Sequence, residues 1–320
     1  MIGLEEAETL EVGWIEELEQ EDVQRMQAIN IGTQPFLIPY LTQIQGGRQD
    51  RIIFEPIIVP AGHDQHNPLT IPARCIEQSR WRYSSSRGKT TTRRHHSTQT
   101  RMSSQMARSI SAHADQHTVW ENVRIARDVM PVARYDAPTQ SYREMNEAVF
   151  DKQKDLGELK NKLLSAMDYP NQVGLVAVYL GKILGVELFG SHGLWEAFRE
   201  EAINGFLMDR FFLGTDKDSK IYPPEAMLSV IEHELGSVEV KESEASGVGK
   251  LYRFGDVSWR GVTVFYDGTP VHFYVVKKHM DPVAGQGRGD QQMDFDPMGR
   301  TQRRSRDNER EEISPTPSNL

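Results

Sequence analysis

At 320 residues, with 38% hydrophobic side chains and a mean hydropathy of −0.56, the chain can hold one large or two ordinary domains but is poor in apolar residues for that length. No apolar run reaches the roughly 18 residues of a membrane helix, the N-terminus is acidic and unlike a signal peptide, and the single cysteine, Cys75, excludes an intrachain disulfide. No membrane association and a cytoplasmic location are therefore expected, and the net charge of −9 argues against attraction of the whole protein to nucleic acid.

Residues 1–22 carry nine acidic side chains and no basic one, so residues 1–8 are expected to form an acidic, disordered start leading into a strand over 10–18. Strand-like runs follow at 23–31 and 36–41, separated by Gly32 and Pro35. The runs 52–59 and 69–76 are rich in Ile and Val and bounded by Gly and Pro, the pattern of buried strands. No long helix intervenes, and antiparallel pairing is expected, because parallel pairs need crossovers of roughly a dozen residues or more. If 52–59 and 69–76 pair through the turn at 60–68, the start of the first lies beside the end of the second.

Those two ends are polar. Arg48, Gln49, Asp50 and Arg51 open the first run, and Glu77, Gln78, Arg80 and Trp81 close the second. Arginine presents a planar fork that matches phosphate or carboxylate, glutamine amides read a base or a sugar hydroxyl, and tryptophan offers a stacking face. Together these types suit a nucleotide-like ligand. The competing arrangement is an internal salt-bridge network, with Arg48 or Arg51 on Glu77 and Arg80 on Asp50.

Residues 84–114 replace apolar periodicity with Ser, Thr, Arg and His and are expected to form a flexible basic loop. From Arg74 to Arg108 there are nine basic residues against one acid, Glu77. Residues 82–108 are the stretch through which nucleic acid would be gripped by counterion release. Only Trp81 and Tyr83 offer stacking surfaces, however, and a solvated loop outweighs that use. A capping box at Thr118–Glu121 predicts a helix to about residue 130, and one at Ser141–Glu144 predicts a helix to about 167. Met145, Val149, Leu156, Leu159, Leu163 and Met167 form its apolar stripe. Residues 173–180 and 183–189 read as a hairpin, 194–212 as an amphipathic helix, and Pro223 and Pro224 as a helix start that ends before Gly236. Strands are expected at 238–241, 250–254, 262–266 and 271–276. Beyond Asp281 almost nothing is apolar.

Few reaction signatures survive inspection. His63 and His66, and His113 and His117, have chelating spacing but no evident third ligand, so no metal is expected. Cys75 sits mid-strand as a small buried hydrophobe rather than a nucleophile. Gly181–Gly185 fits hairpin geometry, not a phosphate loop, and no dinucleotide fingerprint, nucleophile elbow or deaminase signature occurs.

The pattern Gly-x-Arg-Gln-Asp-Arg at 46–51, the strand ending Val-Pro-Ala-Gly at 59–62, and Ile-Pro-x-x-Cys-Ile-Glu-Gln-x-Arg-Trp at 71–81 resemble one family. It is the ARG and rhodanese-phosphatase-superfamily-associated protein domain, an uncharacterised domain. The resemblance continues at Trp120, Val123 and 173–190 and covers roughly residues 8–278. It implies an association with ADP-ribose or nucleotide metabolism, and no cofactor or catalytic residue. Gln43 and Gln45 stand where the family pattern carries acids before the glycine.

The expected class is α+β: an antiparallel N-terminal sheet, a helical middle, a C-terminal hairpin with helices and strands, and a disordered tail. Residues 9–279 would form a single domain, with 280–320 as the tail. The functional expectation is a non-catalytic binding module for a nucleotide or ADP-ribose-like ligand. The alternatives are a hydrolase or transferase on such a substrate, with Asp50 or Glu77 as acid or base, and a structural scaffold. Whether the chain is an enzyme, and its oligomeric state, stay open at this level.

Overall fold

The computed structural model describes residues 1–20, 22–47, 49–78, 94–110, 114–130, 140–213 and 223–278, and its regular structure starts at Ile2–Gly3 (β1) and Leu4–Thr9 (α1). The acidic start is thus folded, not disordered. Leu4 and Ala7, three apart, bury one face of α1, while Glu5 and Glu6 point outward in its first turn, where carboxylates suit the helix dipole. Charge count hid a short amphipathic helix.

The strands that follow are Gly13–Glu16 (β2), Arg25–Asn30 (β3), Phe36–Ile38 (β4), Thr42–Gly46 (β5), Arg51–Ile52 (β6), Ile57–Val59 (β7), Leu69–Pro72 (β8), Arg74–Cys75 (β9) and Glu77–Gln78 (β10). Six of these, with Arg94–Arg101 (β11), build a seven-stranded antiparallel sheet in the order β8-β3-β2-β11-β5-β6-β9. A small sheet, β1-β4-β7, stands beside it. The two long runs expected at 52–59 and 69–76 are each broken. Pro56 has no N–H for a ladder, and the chain leaves β6 in one sheet to enter β7 in another. Likewise β8 pairs with β3 while β9 pairs with β6. β8 and β9 are thus the two opposite edges of the seven-stranded sheet, yet only Ala73 separates them. One bent strand therefore serves both edges, and the sheet rolls round on itself. Leu4, Ile15, Met26, Phe36, Ile44 and Ile71 fill the resulting interior.

The central strand of this sheet, β11, falls inside the segment expected to be a loop, and Ser104–Ser109 (α2) follows it. The loop expectation is corrected for 94–110. Polar composition misled, because the strand's polar groups find partners. Thr98 Oγ1 donates to the Gln43 carbonyl at 3.1 Å, and Ser97 donates from N–H and hydroxyl to Glu8 at 3.1 and 2.7 Å. Residues 79–93 and 111–113 lie outside the described residues.

In the middle of the chain, Gln116–Val129 (α3) starts two residues before Thr118. Its N-cap is Asp115, whose Oδ1 accepts from the Thr118 N–H at 2.8 Å. Gln140–Ser141 (β12) leads into Tyr142–Lys152 (α4), capped by Ser141 as expected. The long helix then divides at Gln153 (φ −95°, ψ 85°), and Lys154–Ala166 (α5) continues separately. Met145, Val149 and Leu156 are buried, whereas Leu159 is 39% exposed, so the apolar stripe serves the core only in its first half.

Gly174–Tyr179 (β13) and Lys182–Phe189 (β14) form the expected hairpin, with Leu180 and Gly181 at φ 48° and 73° making its turn. His192–Leu207 (α6), a 3₁₀ turn at Met208–Phe211 and Pro224–Leu235 (α7) follow. The last strands are Val240–Ser243 (β15), Lys250–Gly255 (β16), Trp259–Tyr266 (β17) and Thr269–Lys277 (β18). They complete an antiparallel sheet ordered β13-β14-β18-β17-β16-β15. With seven helices among the described residues, the protein is α+β. Both β regions share one core: Leu37, Tyr40 and Ile58 from the first half cluster with Phe189, Trp195, Phe198 and Tyr274 from the second. The Tyr40 and Tyr274 rings lie 5.1 Å apart. No helix among the described residues is long and apolar enough to cross a membrane. The described residues all fall within the unit Met1–Ala284, and the tail expected at 280–320 lies outside them.

Candidate functional site

The pairing of β6 with β9 sets Arg51 opposite Cys75 and Ile52 opposite Arg74. The ladder runs one step further, the Ile76 N–H donating to the Asp50 carbonyl at 3.1 Å. Although the long runs are broken, their polar ends are brought together as expected. The Asp50 N–H donates to Glu77 Oε2 at 3.2 Å, and Gln49 Nε2 donates to the Glu77 carbonyl at 3.1 Å. Gln49, Asp50, Arg51 and Glu77 are all buried.

Two glycines make the approach possible. Gly46 and Gly47 turn the chain from β5 toward β6 at φ 127° and 48°. A Cβ on Gly47 would lie 2.2 Å from His95 Cε1 and 2.7 Å from Glu17 Oε1. The backbone therefore passes directly against two buried ionisable side chains that sequence reasoning did not place here. His95 Nε2 lies 3.2 Å from the Gln49 carbonyl and 3.6 Å from Glu17. Arg51 donates to Gln49 Oε1 at 3.1 Å and pairs with Glu17 at 3.6 Å.

A third element closes the cluster. β10 pairs with β12, setting Glu77 opposite Ser141, and the Tyr142 N–H donates to the Ile76 carbonyl at 3.2 Å. That register places Arg143, in the first turn of α4, over Asp50. Arg143 Nε donates to Asp50 Oδ2 at 2.8 Å, and Nη1 donates to Glu147 at 2.6 and 2.7 Å. Burial alone would lower the guanidinium's proton affinity. Its bonds to Asp50 and Glu147 more than reverse this and hold Arg143 firmly charged. On the opposite side, burial raises the Cys75 thiol above its ordinary range, against the smaller opposing pull of Arg51. A thiolate is therefore disfavoured there.

Of the expected pairings, the one of Arg51 with Glu77 is replaced, and those of Arg48 and Arg80 lie outside the described residues. Arg51 reaches Gln49 and Glu17, and Asp50 is held by Arg143. Gln78 lies in β10, its backbone paired with Gln140. Arg48, Arg80 and Trp81 lie outside the described residues. Glu17, His95 and Arg143 were missed because each arrives through tertiary pairing. The one local signal was the Ser141 cap, which fixes where α4 begins. His63 Nδ1 lies 2.9 Å from the Asn67 carbonyl, and no group of three His, Cys, Asp or Glu arranged for a metal occurs among the described residues.

In sum of charges and donors, the cluster offers amide and guanidinium groups fixed in place by a carboxylate scaffold. Arg143 is its outer member, with 15% of its side chain exposed, whereas Asp50 retains 1%. Asp50 Oδ2 accepts from Arg143 and Oδ1 from the Gly46 N–H at 3.4 Å, so both oxygens are engaged within the cluster, an arrangement that suits recognition better than proton transfer.

A profile of the ARG and Rhodanese-Phosphatase-superfamily-associated Protein domain matches residues 1–276. No curated protein and no solved structure matches the chain.

Proposed function

The chain belongs to that family, and from this premise we propose that it is a non-catalytic binding module for a nucleotide or ADP-ribose-like ligand. One observation carries the proposal: Gln49, Asp50, Arg51 and Glu77 converge at one end of the rolled sheet, with Arg143 braced above them and reaching solvent. Buried charge networks contribute little net stability, since desolvation offsets the Coulombic gain, so stability alone is a weak reason for this one. Arg143 Nε and Nη1 are taken by Asp50 and Glu147, so its Nη2 edge is the part of the guanidinium that would meet a phosphate, while Gln49, bonded at both ends of its amide, holds Arg51 and the Glu77 backbone in place. The family's description names association with the rhodanese-phosphatase superfamily, and the ADP-ribose part of the ligand class follows from the family resemblance. A cytoplasmic setting is part of the same proposal, consistent with a single thiol.

Calorimetric titration with ADP-ribose, AMP and ribose 5-phosphate, followed by chromatography of the mixtures, tests it. Saturable binding of ADP-ribose or AMP with the ligand recovered intact is expected. Turnover of the ligand would make the protein a hydrolase or transferase, and absence of binding across the panel would leave the cluster a structural strut.

A further inference from the structure

Four ionisable side chains meet in the interior, apart from the site above: Arg101 at the end of β11, Glu187 on β14, His272 on β18 and Glu201 on α6. None is more than 4% exposed. Glu187 Oε1 accepts from both Arg101 Nη1 and His272 Nε2, the latter at 2.9 Å. Glu201 stands second in line. Its Oε2 lies 3.7 Å from Arg101 Nη2, outside hydrogen-bond distance, and neither atom has a hydrogen-bond partner. Arg101 Nε, Glu187 Oε2 and His272 Nδ1 are likewise without partners.

Charge counting decides the state of this group. Arg101 carries +1 and the doubly bonded Glu187 carries −1, so the pair is neutral. An ionised Glu201 would add an uncompensated negative charge to a site without water-facing surface, which burial penalises heavily. The groups facing it from other elements do not rescue it. Arg101 commits Nη1 and its charge to Glu187 and leaves Nη2 3.7 Å away, Glu187 and Glu5 on α1 repel it, and His272 gives its N–H to Glu187. We propose that Glu201 is a buried proton-binding site whose neutral form lets α6 pack against both sheets, a pH-sensitive clasp. When the proton leaves, the new carboxylate competes with Glu187 for Arg101, which is the strand-to-strand tie between the two sheets.

The direction of each titration agrees. Burial pushes Glu201 up to about 8, against the downward pull of Arg101 and with the upward push of Glu187 and Glu5. Burial also favours the neutral form of His272, which falls below its ordinary value despite the bond to Glu187. For Glu187, burial acts upward, but Arg101 and His272 outweigh it and lower the carboxyl. Between the ordinary 4.5 of the unfolded carboxyl and about 8, the folded protein holds a proton that the unfolded chain releases. Stability from this group is therefore full below that window and is lost as pH rises through it.

Thermal melts of the full chain and of Glu201→Gln from pH 6 to pH 9 test the clasp, because glutamine mimics the protonated acid. The wild type should lose more of its melting temperature than Glu201→Gln between pH 6 and about pH 8, and the difference between the two should stop growing above that. An equal pH slope in both proteins overturns the proposal. Infrared difference spectra of the wild type provide a check that does not depend on the variant folding. A protonated carboxyl band present at pH 7 and lost above pH 8 is expected, and its absence at pH 7 overturns the proposal as well.

Discussion

Arg143 and Asp50 hold each other in place, and the cost of separating them is large because Asp50 is fully buried. Arg143→Ala leaves that carboxylate without its guanidinium and should cost about 3–5 kcal/mol in denaturant unfolding. This is comparable with Ile58→Ala in the shared core, for which lost burial and a cavity cost about 2–5 kcal/mol. Cys75 gives a second, simpler expectation. It is buried and its thiol is raised by that burial, so a thiol reagent should label it only at the rate of unfolding. Rapid labelling of the native protein would contradict the packing around β9. At this scale the sequence was half legible. Alternation and turn residues bring Gln49, Asp50, Arg51 and Glu77 together without any knowledge of the fold. Glu17, His95 and Arg143 come from segments with no local mark of their destination, joined only through β-sheet register.

Elements were legible where their signals are local. The β13–β14 turn, the Ser141 cap and the prolines before α7 act within a few residues, and each element starts at or within two residues of its expected place. They were misread where polar side chains are satisfied at long range, as in β11, or where tertiary pairing divides one apolar run between two sheets, as in β6 and β7. Two substitutions test these corrections. Ser97→Pro in the middle of β11 removes an N–H that donates to Glu8, so it should cost more than about 2 kcal/mol. A loop at 94–101 would tolerate it. Asp115→Ala should weaken α3 by about 1 kcal/mol, since the cap is lost. Thr118→Ala should cost less, because its N–H survives to meet Asp115.

For the whole molecule, the decisive feature is the core that both β regions build. Tyr40 packs on Tyr274, Phe206 stacks on Tyr274 at 6.0 Å, and α6 contributes Trp195 and Phe198 to the same cluster. Unfolding should therefore be a single transition, with near-ultraviolet dichroism and tryptophan fluorescence coincident in denaturant. Two separated transitions would show that the halves are independent. The composition of 280–320 predicts in addition that truncation after Lys278 leaves the melting temperature nearly unchanged, because so little apolar area is removed. The class and the order of elements followed from pattern. The rolling of the first sheet through Ala73 did not, because a single residue between β8 and β9 leaves no mark in hydrophobic periodicity.

The central claim is that the cluster at the β6–β9 end recognises a ligand rather than merely bracing the sheet. Calorimetric titration of ADP-ribose into wild type and Arg143→Lys tests it most directly. Lysine keeps a positive charge against Asp50 but loses the planar fork. If the cluster is the site, affinity falls about tenfold or more, the loss of a charge-assisted hydrogen bond, while the melting temperature changes little. Equal affinities in the two proteins, with ADP-ribose still bound, would place the ligand elsewhere and contradict the account.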